Sequence, residues 1–297
     1  MNVVFFGTPH FVIPILEALE KNFEVVGAVT APDEKSGREQ ILTPSPVKSY
    51  FKNKILTPEK LDLDFENELS KLSPDLLVVA AYGKIIPLSI LNIAKYGALN
   101  VHPSLLPKYR GASPIQQAIL NGDKRTGVSI IKMDEKMDHG PVVFSKEFEI
   151  FEQDTFQTLS LRLFYETSKF LPDVIKDYVL GKIKPETQDE KQATFCSIIK
   201  KENGYFDLNN PPSLEKLGLM TRAYYPWPGV WIRSMVNARP ERGPAPSGTG
   251  RGRRGKSSII KFLPGKVIQV EGKKPVSYKD FINGYPNLDK RLLALLK

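Results

Sequence analysis

The sequence has few of the residues that form disulfides and metal sites. Its 297 residues include one cysteine, Cys196, and three histidines. A single cysteine excludes an intramolecular disulfide framework and is typical of a reducing cytoplasm, which is the location we expect. We expect Cys196 itself to be a half-buried structural thiol. Because no Cys and His residues cluster at metal-ligand spacing, we expect no dedicated metal site.

Long apolar runs and glycine-rich phosphate motifs are also missing. No run approaches the ~18–20 uninterrupted apolar residues that span a bilayer, so no membrane partner is expected. The first residues, Met1–Gly7, lack a basic leader and a small-residue cleavage site, and we expect a strand there rather than a signal peptide. Neither G-x-G-x-x-G nor G-x-x-x-x-G-K-[ST] follows, so a tight turn at Gly7-Thr8-Pro9 is favoured over a dinucleotide or P-loop site.

Charge is distributed unevenly along the chain. Residues 1–197 carry 23 Lys and Arg against 26 Asp and Glu, whereas residues 198–297 carry 19 against 7. The net charges are therefore −3 and +12, within a total of +9. A slightly acidic N-terminal part and a basic C-terminal part indicate a catalytic domain followed by a module that binds a polyanion. From charge alone, a solvated basic surface with no partner remains the alternative.

Apolar runs alternate with amphipathic segments over the first half of the chain. The predicted strands there are Val3–Phe6, Val25–Thr30, Lys54–Leu56, Asp75–Ala80 and Gly97–Val101, and the predicted helices are Phe11–Lys21, Ser45–Phe51, Phe65–Leu72 and Ser113–Asn121. This alternation predicts an α/β fold with a mostly parallel sheet covered by helices on both faces.

The later part of the chain predicts a second domain. Two paired strands and a long helix over Asp154–Asp177 complete a first domain of residues 1–183, and a polar linker of residues 184–204 follows. A second domain then covers residues 205–297. Within it, residues 238–258 are rich in Gly, Pro, Arg and Ser, and we expect them to form a mobile basic loop because they bury too little apolar surface.

The strand that ends near residue 102 carries two polar side chains. Asn100 and His102 are two positions apart, so on a strand they leave the same face of the sheet. An amide can donate to a developing oxyanion, and an imidazole can exchange a proton near neutral pH. The carboxylate that would orient this imidazole is Asp134, Glu135 or Asp138. On these residues alone, a buried structural histidine is favoured over a catalytic one.

Longer motifs around this pair resemble a known family. NVHPSLLPKYRG, then QQAILNGD, then the MDHGP turn resemble the folate-dependent formyltransferase superfamily. The resemblance implies a Rossmann-like domain in which Asn100, His102 and Asp138 are catalytic, with Asp138 keeping His102 charged. It implies 10-formyltetrahydrofolate as co-substrate, without a metal. The residues implied to bind this folate are Ser104, Leu105, Leu106, Pro107, Tyr82 and Gly83.

Four further segments resemble the methionyl-tRNA formyltransferases within this superfamily. They are FFGTPHF near the start, APDEKSGR with LTPSPVK at residues 31–48, TRAYYPWPG at 221–229 and EGKKPVSYKDFINGY at 271–285. The resemblance implies a monomer that formylates initiator methionyl-tRNA and has a small OB-like β-barrel after its catalytic domain. The implied tRNA contacts are Lys35, Arg38, Arg222, Arg251, Arg253 and Arg254.

The sequence departs from the family pattern in two places. Where the family has a basic G-R-G-K-K stretch, this chain has Gly37-Arg38-Glu39-Gln40-Ile41. Between Trp231 and Pro275 the chain is shorter than a full barrel requires. We therefore expect a reduced barrel in which the basic segment supplies phosphate contacts.

Three other functions share parts of this pattern. A formyltransferase acting on a sugar nucleotide or on glycinamide ribonucleotide does not account for the basic second domain. A formyltetrahydrofolate hydrolase does not account for the PWPG and KDFINGY segments. A non-enzymatic RNA-binding protein is disfavoured because all three implied catalytic residues are present.

Deleting residues 238–258 is expected to raise the KM for tRNA, because Lys and Arg contacts to phosphates supply much of the affinity of such complexes. Steady-state formylation at varied tRNA concentration measures this. An unchanged KM would contradict a role for the segment in binding tRNA.

Overall fold

The chain forms two compact units. The computed structural model describes residues 1–36, 39–235, 257–285 and 288–296. The first unit consists of residues 1–118, 123–151 and 158–198, and the second of residues 119–122, 152–157 and 199–297. Among the residues that the structure describes, none of the helices combines the length and the apolar character that a membrane span requires.

Strands and helices alternate through the first unit. In chain order the strands among the described residues of both units are β1 Asn2–Gly7, β2 Glu24–Val29, β3 Glu34–Ser36, β4 Ile41–Thr43, β5 Ile55–Leu56, β6 Leu76–Ala80, β7 Ala98–His102, β8 Arg110–Gly111, β9 Arg125–Lys132, β10 Val142–Glu149, β11 Phe195–Cys196, β12 Val230–Met235, β13 Ser257–Leu263, β14 Val267–Val270 and β15 Val276–Ser277. The α-helices are α1 Ile13–Asn22, α2 Pro46–Tyr50, α3 Leu63–Ser70, α4 Leu88–Leu91, α5 Pro114–Leu120, α6 Phe156–Ser168, α7 Leu171–Val179, α8 Leu214–Ala223, α9 Tyr278–Gly284 and α10 Lys290–Leu296.

A seven-stranded sheet forms the centre of the first unit. Its strand order is β10-β9-β7-β6-β1-β2-β5. The pairs from β7 to β5 are parallel, whereas β9 runs antiparallel to both β7 and β10. The four side chains of Val3–Phe6 are 0% exposed, as expected for a strand covered on both faces. The predicted α/β fold with a mostly parallel sheet is confirmed.

The strand order reverses at β1. The chain passes from β1 to its neighbour β2 on one side, whereas the neighbour on the other side is β6. Ligands in open α/β sheets bind outside the carboxyl ends of the strands at such a reversal. Because β1, β6 and β7 are parallel, their carboxyl ends lie at the same edge of the sheet. These strands end at Gly7, Ala80 and His102.

Two segments differ from the sequence-based expectations. The long helix predicted over 154–177 is two helices, α6 and α7, with Pro172 in the first turn of α7, where its missing N–H costs nothing. Residues 184–198, predicted as part of a linker, belong to the first unit. Glu186 and Val142 exchange two backbone hydrogen bonds of 2.8 Å, and β11 pairs with β8.

The second unit contains a four-stranded antiparallel sheet, β12-β13-β14-β15, within its described residues. Its apolar core includes Ile232, Ile260, Phe262, Ile268 and Phe281, each at most 1% exposed. The predicted strand-rich second domain is confirmed, while the OB-like barrel stays a prediction. Most of the predicted loop, residues 238–256, lies outside the described residues, whereas Ser257 and Ser258, also predicted as loop, belong to β13.

Leu77→Ala is expected to lower the free energy of unfolding by ~2–5 kcal/mol, because Leu77 is 0% exposed on the central strand β6 and its loss leaves a cavity. Chemical denaturation followed by circular dichroism measures the change. The control is Leu161→Ala on α6, where Leu161 is 38% exposed. Equal losses in the two variants would contradict the assigned core.

Candidate active site

Three polar side chains meet beyond the carboxyl end of β7. Asn100 and His102 leave the same face of this strand, and Asp138 lies in the loop between β9 and β10. Asn100 Nδ2 donates to Asp138 Oδ1 at 3.2 Å, and His102 Nδ1 lies 3.4 Å from the same oxygen. Of the three carboxylates considered from sequence, Asp138 is thus the one facing His102. Asp134 instead contacts His139 Nδ1, at 2.6 Å.

The second carboxylate oxygen of Asp138 is also held. Oδ2 accepts the backbone N–H of Gly111 at 2.8 Å. Asp138 has a φ of +49°, in the left-handed region that aspartate tolerates better than most residues. Its side chain is 12% exposed. The loop thus turns a largely buried carboxylate toward donors from two other parts of the chain.

Both ring nitrogens of His102 face oxygen atoms that accept hydrogen bonds. Nε2 lies 3.0 Å from the carbonyl oxygen of Tyr109, and a carbonyl oxygen can only accept, so Nε2 carries a hydrogen and donates it. Nδ1, the other ring nitrogen, lies 3.4 Å from Asp138 Oδ1. His102 is 4% exposed and has a partner at each ring nitrogen, whereas Asn100 is half-buried.

Residues 186–196, called the strap here, support the site from one side. The pairing of β11 with β8 holds Gly111, whose φ is +116° and whose added Cβ would lie 2.2 Å from the carbonyl oxygen of Cys196. Arg110 is 2% exposed and donates to Gln188 and Glu190 of the strap. This hydrogen-bonded guanidinium lowers the pKa of Glu190.

Sequence reasoning missed Arg110, Gly111 and Gln188. One local signal was available, since Gly111 follows soon after the SLLP turn and glycine often marks a close backbone approach. The polar composition of residues 184–191 pointed instead to a solvated linker. Only the pairing between segments far apart in sequence reveals the contribution of Gln188.

The SLLP turn presents mainly apolar side chains. Ser104 is 0% exposed, and its Oγ donates to the carbonyl oxygen of Lys108 at 2.6 Å, so this hydroxyl stabilises the turn itself. Leu106 N–H donates to Ser129 Oγ at 3.0 Å. The side chains of Leu105, Leu106 and Pro107 are half-buried. These three consecutive apolar residues are called the apolar ledge here.

Tyr82 and Gly83 lie at the end of β6 but differ in access. The Tyr82 ring is 5% exposed and makes an edge contact with Phe6, with ring centroids 5.3 Å apart. Burial raises the pKa of Tyr82 to about 12. Gly83 is exposed, and a Cβ added there would meet nothing within 4 Å. At this position, Gly83 offers space for a ligand and the Tyr82 side chain belongs to the core.

The predicted tRNA contacts are described only in part. Lys35 is exposed on β3 of the first unit. In the second unit, Arg222 is half-buried and donates to the carbonyl oxygen of Asp154 at 3.0 Å, and burial lowers its pKa. The remaining predicted contacts lie outside the described residues, and they are Arg38, Arg251, Arg253 and Arg254.

Cys196 is a buried thiol near the site. Its Sγ lies 3.5 Å from the carbonyl oxygen of Tyr109 and 3.4 Å from that of Arg110, and burial raises its pKa. Both features fit the structural role expected of it. In the part of the chain that the structure describes, no cluster of three or more His, Cys, Asp or Glu side chains is placed to hold a metal ion.

The chain is similar in sequence to known formyltransferases. Residues 1–175 match the family model described as formyl transferase. A methionyl-tRNA formyltransferase from Dictyoglomus thermophilum is 39% identical over 308 aligned residues, which cover 96% of this chain and 97% of that protein. This match includes both units.

Solved structures share the fold at lower sequence identity. A methionyl-tRNA formyltransferase from Clostridium thermocellum has a TM-score of 0.58 and 19% identity, covering 93% of this chain and 99% of that one. A sugar N-formyltransferase from Shewanella sp. FDAARGOS_354 has a TM-score of 0.62 and 20% identity, covering 79% and 93% respectively. At these identities the structures show a common fold.

Gly140→Ala is expected to destabilise the protein by roughly 1–3 kcal/mol or more, because overpacked sites force the backbone to move. Gly140 lies two residues after Asp138, and a Cβ added to it would lie 1.8 Å from the carbonyl oxygen of Lys132. Thermal and chemical unfolding measure the loss. The control is Gly218→Ala in α8, where the same methyl group meets nothing within 4 Å. A Gly140→Ala variant as stable as this control would contradict the geometry of the loop.

Proposed function

The chain belongs to the formyl transferase family and, within it, to the methionyl-tRNA formyltransferases, and from this membership we propose its reaction. The enzyme transfers the formyl group of 10-formyltetrahydrofolate to the α-amine of methionine esterified to initiator tRNA. The amine nitrogen bonds to the formyl carbon, and the bond from that carbon to the folate nitrogen breaks. The proton lost by the amine ends on the folate nitrogen.

The observation that carries the proposal is the meeting of Asn100, His102 and Asp138 at the carboxyl end of β7. Asp138 Oδ1 lies 3.2 Å from Asn100 Nδ2 and 3.4 Å from His102 Nδ1. This set contains an oxyanion donor and an acid–base pair, which are the groups that acyl transfer to an amine requires. It lies beside the reversal in strand order, where α/β folds bind their ligands.

The apolar ledge supports a site for the folate rings. Leu105, Leu106 and Pro107 present half-buried apolar side chains, and Gly83 leaves open space at the end of β6. An aromatic ring system would bury its faces against such side chains. The backbone around Gly83, rather than the Tyr82 side chain, would contact the co-substrate.

Asn100 is the donor assigned to the oxyanion. An amide nitrogen carries two hydrogens, and one of them is directed at Asp138. Asn100 is half-buried, so the second hydrogen can reach the oxygen that gains charge when the amine attacks the formyl carbon. Removing such a donor costs ~10²–10³ in rate in other enzymes.

His102 and Asp138 are assigned to proton transfer. The Nε2–H of His102 is directed at the Tyr109 carbonyl, so exchange takes place on the Nδ1 side, which faces Asp138. Asp138 orients the attacking amine, or a water that relays its proton, and stabilises the charge on His102. The near-complete burial of His102 keeps this pair away from bulk water.

The second unit is assigned to tRNA binding. Residues 198–297 have a net charge of +12. Among its described residues, exposed lysines include Lys261, Lys266, Lys273, Lys274 and Lys279. A basic surface of this kind binds the phosphate backbone and makes affinity dependent on salt.

Asn100→Ala, His102→Ala and Asp138→Ala are each expected to lose most turnover, with falls of ~10² or more, while tRNA binding changes little. The measurement is formylation of Met-tRNA with 10-formyltetrahydrofolate, resolved on acid gels. The control is His10→Ala, which removes an exposed imidazole and should leave turnover unchanged. Turnover at the wild-type level in His102→Ala would refute the assignment.

The same assay separates the alternative reactions. A sugar-nucleotide amine offered in place of Met-tRNA tests for a small-molecule acceptor. Loss of the formyl donor without any acceptor tests for a hydrolase. Formylation restricted to Met-tRNA is the expected result, and efficient use of either alternative would replace the proposed function.

A further inference from the structure

Gln188 is a buried amide that contacts the backbone of the loop between β9 and β10, which carries Asp138. It is 7% exposed and lies in the strap, fifty positions after Asp138 in the chain. Its Nε2 donates to the carbonyl oxygen of Asp138 at 2.9 Å and to that of Gly140 at 2.7 Å. Both hydrogens of the amide nitrogen are thus used on the loop that carries the carboxylate.

The other end of the Gln188 amide contacts Arg110. Oε1 accepts from Arg110 Nε at 3.0 Å and from Nη2 at 2.8 Å. Because a guanidinium has only donors, the amide oxygen must face Arg110 and the amide nitrogen must face the two carbonyls. Arg110 is held in turn by two hydrogen bonds to Glu190, at 2.7 Å and 3.0 Å. The orientation of Gln188 is therefore determined by its partners.

Arg110 links Gln188 to the other side of Asp138. The residue after it, Gly111, donates its N–H to Asp138 Oδ2. Gln188 therefore touches the backbone of Asp138 directly and reaches its carboxylate through Arg110 and Gly111. Asp138 has a φ of +49°, and Gln188 donates to the carbonyl oxygen of this same residue.

We propose that Gln188 is a positioning residue that sets the place of the Asp138 carboxylate against His102 and Asn100. The role rests on the proposed function, because it assigns Gln188 to the same reaction. Gln188 does not touch the reacting atoms. It acts by fixing the loop, and a misplacement of about 1 Å at a reacting centre can cost ~10²-fold in rate.

Two variants separate the contacts of Gln188. Gln188→Met keeps the length of the side chain and removes the hydrogen bonds to the loop as well as those from Arg110. Gln188→Glu keeps an oxygen for Arg110 but removes the donors to the loop. Both should lower kcat by ~10–10²-fold, with little change in KM for Met-tRNA or folate. The control is Gln192→Met, the same change at an exposed position of the strap, which should leave kcat unchanged.

A double-mutant cycle with Asp138→Asn tests whether Gln188 acts through Asp138. Once the carboxylate is absent, Gln188→Met should lower kcat no further. A merely structural role would instead give falls that multiply, as independent sites do. Multiplying falls, or a wild-type kcat in Gln188→Glu, would overturn the proposal.

Nitrogen-15 spectra of the imidazole rings give a readout that does not require activity. The chain has three histidines, and the exposed His10, at the start of a short 3-10 helix, is an internal reference. Gln188→Met should shift the His102 ring signals in the same direction as Asp138→Asn, and Gln192→Met should not. Unshifted His102 signals in Gln188→Met would overturn the positioning role. If the wild-type chain fails to formylate Met-tRNA, the proposed function fails, and these spectra still decide the positioning role.

Discussion

The carboxylate of Asp138 is the group on which the rest of the site depends. It accepts from Asn100 and from the backbone of Gly111, and it faces Nδ1 of His102. Hydrogen bonds to a charged group contribute roughly 1.5–3 kcal/mol each, and a buried charge left without them is costly. These contacts therefore hold the loop between β9 and β10 against the end of β7. They also give the two polar side chains of β7 one defined arrangement.

The fold supplies this arrangement in two stages. The parallel sheet brings the ends of β1, β6 and β7 to one edge, which places Asn100 and His102 but leaves Asp138 on a loop. The strap then completes the site. Its pairing with β8 fixes Gly111, and its Gln188 donates a hydrogen bond to the carbonyl oxygen of Asp138 in the loop. The strand β7 positions Asn100 and His102. Hydrogen bonds from Asn100, Gly111 and Gln188 hold Asp138.

Different parts of this arrangement were predictable from sequence to different degrees. The parallel strands followed from apolar runs, and Asn100, His102 and Asp138 followed from motifs whose order and spacing are specific. The break in the long helix could have been inferred from Pro172, which does not fit a helix interior. The role of Gln188 could not, because a polar segment paired against a distant strand has the same composition as a solvated linker.

We propose that the charge of Asp138, held beside His102 and Asn100, promotes formyl transfer to the aminoacyl amine. The most direct test is the single-turnover rate of Asp138→Asn with both substrates saturating, because this change removes the charge and keeps the shape. We expect a rate lower by ~10² or more, with substrate affinity retained. A single-turnover rate equal to that of the wild-type enzyme would contradict it.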